Sequence, residues 1–168
     1  MKELLDAIRA GDTAKATSLL EQNPAWATAK DEAGLSALMM ALYARKPDIV
    51  ALIESRGVVH DVFTASATGK LDALRNILDG NKSVVKLVSH DGWTPLHLAV
   101  FFGQREAAQL LANAGAAIDA HSTNPMKNTP LHAAVAGRDY ETVKLLIALG
   151  ANVNARQHGG WTPLQAAA

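Results

Sequence analysis

The sequence of 168 residues contains no cysteine, few aromatic residues and no excess of either charge. Without cysteine, the chain can form neither disulfide bonds nor thiolate metal sites. Lysine and arginine together number 16, as do aspartate and glutamate. This balance argues against general polyanion binding, which depends on neutralising phosphates, so we expect no nucleic-acid partner.

Long apolar runs are absent as well. No stretch approaches the roughly 18 apolar residues of a membrane span. The first six residues already include acids where a signal peptide requires an apolar run. We therefore expect a soluble, cytoplasmic protein without a membrane partner.

Motifs of the common enzyme classes are missing too. The sequence has no Gly-x-Ser-x-Gly turn, no phosphate-binding Gly-x-x-x-x-Gly-Lys loop and no His-Glu-x-x-His pair. We expect a protein that is not an enzyme and needs no cofactor.

What the sequence does contain is an internal repeat. Residues 94–99 read Thr-Pro-Leu-His-Leu-Ala, and 129–134 and 162–167 repeat this motif with small changes. The motif leucines are spaced by 35 and then 33 residues. Weaker copies centre on Leu4, Leu38 and Val62. A fixed period of this length indicates stacked helical units.

Each unit can be interpreted as two helices with a turn between them. The motif threonine suits a helix N-cap, and the proline suits the first helical position. A second helix follows with apolar residues at helical spacing, as at Ala107, Leu110 and Leu111. The break between the two helices is expected at Gly11, Arg45, Gly69, Gly103 and Arg138. A left-handed residue is expected just past the second helix, at Gly57, Asn81, Gly115 and Gly150.

These features closely resemble the ankyrin-repeat family, in the style of its bacterial members. The resemblance lies in the segment Asp91–Ala99, the later Gly103 and Leu110-Leu111, and the unit ending Gly150–Ala155. It implies an all-α solenoid of stacked helix-turn-helix units, with short β-hairpin loops, or fingers, before the Thr-Pro pairs. It also implies that His97 and His132 brace the capping threonines. The structural motif positions are Thr94, Pro95, His97, Thr129, Pro130, His132, Thr162 and Pro163.

The whole chain is expected to form one ankyrin-repeat domain, 1–168. Its predicted units are an N-terminal capping repeat at 1–30, repeats at 31–59, 60–88, 89–121 and 122–155, and a partial repeat at 156–168. The last unit supplies only a first helix and ends in Ala-Ala-Ala. Either the chain originally continued, or this face packs against something, such as another copy.

Two spacings are irregular. The markers of the second and third units lie 24 residues apart instead of 34, and only four residues separate Gly57 from Val62. We expect His60 or Asp61 to cap the next helix directly, leaving a notch in the row of fingers. The finger at 121–128 holds about two extra residues and is expected to project further.

The resemblance implies that a protein partner binds the concave face, which consists of the fingers and the ends of the first helices. The matching positions are Leu35, Tyr43, Trp93, Phe101, Phe102, Asn128 and Trp161. Adjacent phenylalanines on a helix point about 100° apart, so we expect at least one of Phe101 and Phe102 to be exposed. Exposed aromatics are typical binding hot spots, and Tyr43 could extend a patch with Trp93. The alternative is that Phe102 packs on the next repeat and Trp93 shields its finger.

Two other functions remain open. The protein could self-associate weakly through its exposed last helix. It could also bind a metal or small molecule through the finger histidines His90, His121 and His158. Fingers two repeats apart lie about 20 Å from each other if repeats are spaced by helix-packing distances. His90 and His158 therefore cannot share one ion.

Overall fold

The computed structural model describes residues 1–167, which form helices and turns. The α-helices are α1 (Lys2–Ala10), α2 (Thr13–Gln22), α3 (Ala37–Tyr43), α4 (Pro47–Glu54), α5 (Val62–Thr68), α6 (Leu71–Gly80), α7 (Pro95–Phe101), α8 (Arg105–Asn113), α9 (Pro130–Gly137), α10 (Tyr140–Ala148) and α11 (Pro163–Ala167). Short 3₁₀ helices span Pro24–Ala27, Lys82–Lys86 and His158–Gly160. None of these helices is long and apolar enough to cross a membrane. Ala168, at the end of the predicted last unit, lies outside the described residues.

The first helices begin where the capping residues predict. Thr94 and Thr129 cap α7 and α9, and proline follows each of them at the first helical position. Asp61 caps α5 and forms a reciprocal pair of hydrogen bonds with Thr64. The expectation of a direct cap before α5 is confirmed, and Asp61 rather than His60 supplies it.

The breaks predicted between paired helices are confirmed, and the structure adds that all five residues there have positive φ, including the two arginines, Arg45 at 53° and Arg138 at 63°. Gly57, Gly115 and Gly150 are left-handed as well. The prediction for Asn81 is wrong, because this residue is extended with φ of −160°. Its side chain instead accepts a hydrogen bond from the Ser83 N–H, which begins a 3₁₀ helix.

The described chain divides into two compact units, 1–59 and 60–168. In 1–59, α1 packs on α2 and α3, and α4 packs on α2 and α3. The core of this unit contains Leu4, Ile8, Leu20, Leu38 and Ile53, all fully buried.

The second unit stacks its helices in two series. Its first helices pack in the order α5, α7, α9 and α11, and its second helices in the order α6, α8 and α10. Leu74, Leu96, Leu111, Leu131 and Leu146 lie in the core between them. Because small residues such as Ala99 and Ala108 are interspersed with these leucines, neighbouring helices approach closely, and an all-α repeat fold results.

The finger loops (residues 87–93, 121–128 and 156–161) are turns. In each, an N–H near the start donates to a carbonyl at the end: Ser89 to Trp93, Ser122 to Asn128, and Gln157 to Trp161. Residues 1–167 contain no β-strand, and an isolated antiparallel bridge among them joins Lys30 to Ser36. The predicted β-hairpin form of the fingers is therefore not confirmed.

Candidate functional site

The site is built on two buried motif histidines. His97 is fully buried on α7, one turn after its capping threonine. The Thr94 backbone N–H donates to His97 Nδ1 at 3.3 Å, and the Thr94 hydroxyl lies 2.8 Å from the same nitrogen. His97 Nε2 lies 3.0 Å from the carbonyl oxygen of Asn128, at the end of the next finger loop. One imidazole thus connects the start of its own helix to the following repeat.

These contacts determine which ring nitrogen of His97 carries the proton. An N–H donor requires Nδ1 to accept, and a carbonyl oxygen requires Nε2 to donate, so the ring is the neutral Nε2–H tautomer. Burial lowers the pKa of His97 to about 4 from its ordinary value of 6.5. The hydrogen bond to Asn128 acts in the opposite direction but is the smaller effect. His97 is therefore a neutral structural link at pH 7.

His132 repeats this arrangement one unit later. Its Nδ1 accepts from the Thr129 N–H at 3.3 Å, and its Nε2 lies 3.0 Å from the carbonyl oxygen of Trp161. Burial lowers the pKa of His132 as well. The same hydrogen bonds thus occur in two successive repeats, each joining a capping threonine to the end of the next finger loop through a buried histidine.

Neighbouring finger loops also bond directly. The Thr123 N–H donates to the Gly92 carbonyl at 2.9 Å, and Asn124 Nδ2 donates to the Asp91 carbonyl at 3.0 Å. Gly92 has φ of +82°, and a Cβ on it would lie 2.5 Å from the Asn124 backbone nitrogen. This glycine therefore permits both the turn and the close approach of the next loop.

An aromatic cluster lies beside the first of these links. Trp93 stacks on the His97 ring at a centroid distance of 5.9 Å, and it meets Phe101 edge-on at 4.9 Å. Phe101 meets Phe102 edge-on at 5.0 Å. Such edge-to-face pairs are a favoured aromatic geometry. The four rings form a continuous series from the finger loop to the end of α7.

The expectation that Phe101 or Phe102 is exposed is wrong. Both side chains are partly buried, as is Trp93. Phe101 packs against the core of 60–168, and the edge-on contact brings the Phe102 ring beside it. The 100° argument considered one helix alone and omitted the aromatic neighbour supplied by the finger loop. Each ring still leaves a part of its surface accessible.

The other predicted contact residues occupy different environments. Trp161 is 54 % exposed, whereas Asn128 is 8 % exposed and its side chain accepts from the Ser122 hydroxyl at 2.6 Å. Asn128 therefore supports its own loop, and we do not include it in a binding surface. Leu35 and Tyr43 belong to the unit 1–59 and are partly buried there. Their role as partner contacts stays a prediction.

The finger histidines do not come together as a ligand set. Among residues 1–167, no group of three or more histidines and carboxylates is placed to hold a metal ion. His121 Nδ1 instead lies 2.8 Å from the Lys127 carbonyl, and the backbone N–H of His158 donates to the Met126 carbonyl. Both histidines thus take part in loop structure.

A groove between α10 and α11 was not anticipated from the sequence. It has a volume of about 510 Å³, and its walls include Tyr140, Val143, Ile147, Pro163 and Leu164. The sequence carried a signal for it. Val143 and Ile147 occupy the fifth and ninth positions after the left-handed Arg138, as Leu74 and Leu78 do after Gly69.

In a comparison with known protein families, a match was found over most of the second unit. A family model described as ankyrin repeats (3 copies) matches residues 62–157 and again 117–168. Together the two matches cover more than half of the chain. No curated protein gives a significant match.

Proposed function

The chain belongs to the ankyrin-repeat family, and from this we propose that it binds a partner protein without catalysing a reaction. Ankyrin repeats generally mediate protein–protein interaction, and their domains are typically non-catalytic. The proposed surface is the side of residues 60–168 formed by the finger loops and the ends of the first helices. A cytoplasmic location and a scaffolding role belong to the same proposal.

The observation that supports this surface is the partly exposed aromatic series Trp93, Phe101 and Phe102, which lies beside the buried His97. Aromatic side chains offer a large contact area at a low cost in side-chain entropy, and they dominate the energetics of many interfaces. Here the rings are already held by edge-on contacts and by the bonded His97. A partner would therefore meet a preorganised surface, which reduces the ordering cost of binding.

Trp161 extends the proposed surface by one finger loop. Its side chain is 54 % exposed, while its backbone carbonyl is held by His132. The indole is therefore accessible on a fixed backbone. We propose that the finger loops present such side chains to a partner from turns that are held by hydrogen bonds.

The test uses Phe102 and Trp161, since Phe101 packs into the core. Affinity capture from a lysate compares wild type with the Phe102→Ala/Trp161→Ala variant, and the captured partner is then titrated against both. We expect at least about a tenfold loss of affinity, corresponding to roughly 1.4 kcal/mol or more. Unchanged helicity by circular dichroism shows that the variant remains folded.

Tyr140→Ala is the matched control. It also removes an exposed aromatic side chain, but from the second helix α10 rather than from a finger or first helix. It should leave partner affinity unchanged. A partner that binds the double variant as tightly as wild type would rule out the proposed surface.

A further inference from the structure

The finger loop at 121–128 fixes the backbone of Met126 on both sides. The Met126 N–H donates to Asn124 Oδ1 at 3.0 Å, and the following Lys127 N–H donates to the Asn124 carbonyl at 3.1 Å. The Met126 carbonyl oxygen accepts from the His158 N–H of the next finger loop at 2.7 Å. Met126 is nevertheless 51 % exposed. The loop thus presents an apolar thioether side chain to solvent from a turn that is held by hydrogen bonds.

Met126 is the most accessible of the four methionines, all of which lie within the described residues. Met39 is only 5 % exposed, and Met1 and Met40 are partly buried against the core of 1–59. Because the chain contains no cysteine, no thiol of its own competes for an oxidant. Oxidants react first with the sulfur atoms that they can reach, and here that atom is the sulfur of Met126.

We propose that Met126 is the oxidation site of this chain and that its oxidation weakens binding at the finger-loop surface. A hydroperoxide converts the thioether of Met126 to a sulfoxide, which lowers the affinity for the partner protein and leaves the fold intact. The loss of affinity rests on the proposed function of this surface. The choice of Met126 as the reacting residue does not, because it depends only on the accessibility of the sulfur atom.

The reaction is a two-electron transfer of one oxygen atom. A lone pair of the Met126 sulfur attacks one peroxide oxygen, so that an S–O bond forms while the O–O bond breaks. With hydrogen peroxide, the leaving hydroxide takes up the proton of the transferred hydroxyl and departs as water. The sulfur is thereby oxidised and the peroxide is reduced. Methionine sulfoxide reductases reverse the change, and they draw two electrons from a dithiol, which this cysteine-free chain cannot supply.

The position of Met126 confines the consequence of oxidation to the surface. Within residues 1–167, the Met126 side chain is not part of either apolar core, and the hydrogen bonds that fix this residue involve only its backbone. The sulfoxide oxygen is therefore hydrated in the free protein. A sulfoxide at Met39 would instead bury a polar oxygen without a partner, which is costly. Oxidation of Met126 thus changes the chemistry of the surface without disturbing the core.

At an interface the same change is unfavourable. A thioether is unbranched and polarizable, so it adapts its shape to an apolar partner surface. The sulfoxide is polar, and burying it against apolar groups removes its hydration without replacing it. The loop that carries Met126 is bonded to the loop that carries Trp161, so both side chains belong to the one proposed surface.

Peptide mapping by mass spectrometry identifies the residue that is oxidised. The full chain is treated with dilute hydrogen peroxide, quenched at intervals and digested, and the sulfoxide at each methionine is followed over time. Met126 should be oxidised at least about tenfold faster than Met39, and the urea midpoint of the chain should not change. Equal rates at both methionines, or a fall in the midpoint that Met126→Leu prevents, would overturn the proposal.

Titration of the partner retained by wild type in the capture test measures the effect on binding. It is titrated against the untreated chain, the chain oxidised at Met126 and a Met126→Gln variant, whose amide is polar as a sulfoxide is. Oxidation and Met126→Gln should each lower the affinity about three- to tenfold. Met126→Leu should bind as wild type does and lose the sensitivity to peroxide, since leucine keeps the apolar volume and contains no sulfur.

Met40→Leu is the matched control, because it removes a methionine that is partly buried in 1–59. Peroxide should lower the partner affinity of this variant as much as that of wild type. An oxidised chain that binds the partner as tightly as the untreated chain does would overturn the proposal and leave the proposed function in place. Failure of the test on Phe102 and Trp161 would instead remove the proposed function, and the peptide map would still decide the site of oxidation.

Discussion

The repeats that carry a motif histidine differ from the repeat at 31–59, where Met39 takes that position. His97 hydrogen-bonds its own capping threonine and the next finger loop. Met39 is also buried, but only its backbone N–H takes part in the cap, donating to the Ser36 hydroxyl oxygen at 3.2 Å. Both residues fill the core, and only histidine also satisfies polar groups of two repeats. The comparison separates what burial contributes from what directional bonding adds.

Acidification should produce the largest difference between the two regions. The folded pKa of His97 is about 4 and its ordinary value is 6.5, so between these values the unfolded chain binds more protons than the folded one. The contribution of His97 to the free energy of unfolding is therefore fully present above pH 6.5 and is lost as the pH falls towards 4. For His97 alone the loss approaches about 3 kcal/mol, and His132, whose pKa is also lowered, acts in the same direction.

Urea unfolding at pH 7 and pH 4.5 measures this loss. In a Trp26→Phe chain, the remaining tryptophans Trp93 and Trp161 report the unit 60–168 by fluorescence. To isolate the contribution of His97, the comparison is with a His97→Leu chain, in which the pH dependence of the unfolding free energy should be distinctly smaller. Equal pH dependence in the two chains would show that His97 is not the group responsible.

Replacing the histidine at constant pH should have the next largest effect. His97→Leu leaves the Thr94 N–H and the Asn128 carbonyl without their partners, at a cost of about 2 kcal/mol in unfolding free energy. The matched change Met39→Leu conserves volume in the other region and should cost less than about 1.5 kcal/mol. Urea denaturation at pH 7.5 compares the two, and a larger loss for Met39→Leu would reverse the conclusion drawn from the hydrogen bonds.

Close backbone packing between repeats should give a smaller effect. Gly137 ends α9, and a Cβ on it would lie 2.3 Å from the Phe101 carbonyl oxygen. Gly137→Ala forces α7 and α9 apart and should destabilise by about 1–2 kcal/mol. Gly80 ends α6 with nothing within 4 Å of its Cβ position, so Gly80→Ala should instead stabilise by up to about 1 kcal/mol. Thermal melts of the two variants should therefore shift in opposite directions.

Local features of the fold were predictable from the sequence, and long-range contacts were not. The caps at Thr94 and Asp61 and the left-handed Gly115 depend on neighbouring residues, so the pattern predicted them. Asn81 was misassigned because its side chain bonds to the next turn and thereby favours an extended backbone.

The candidate site required contacts between separate repeats. His97 bonds a residue 31 positions away, and Phe101 meets Trp93 of the finger loop. The helical period identifies these residues as candidates, but it cannot give their exposure, because exposure depends on the packing of several elements at once. The α10–α11 groove was missed for the same reason. Two residues of its wall, Val143 and Ile147, occupy the same positions in their repeat as Leu74 and Leu78 do in theirs.

The smallest predicted effect is one that the two regions should share. Arg45 in 1–59 and Arg138 in 60–168 both follow a first helix, and both have positive φ and exposed side chains. Glycine accepts this backbone without the Cβ clash, although it loses more entropy on folding. Arg45→Gly and Arg138→Gly should therefore each stabilise by about 0.5 kcal/mol, measurable as a small rise in urea midpoint at unchanged slope. Equal gains in unfolding free energy would indicate that the turns of the two regions behave alike, so that the regions differ in their histidine hydrogen bonds. A gain in only one region would show that the turns differ as well.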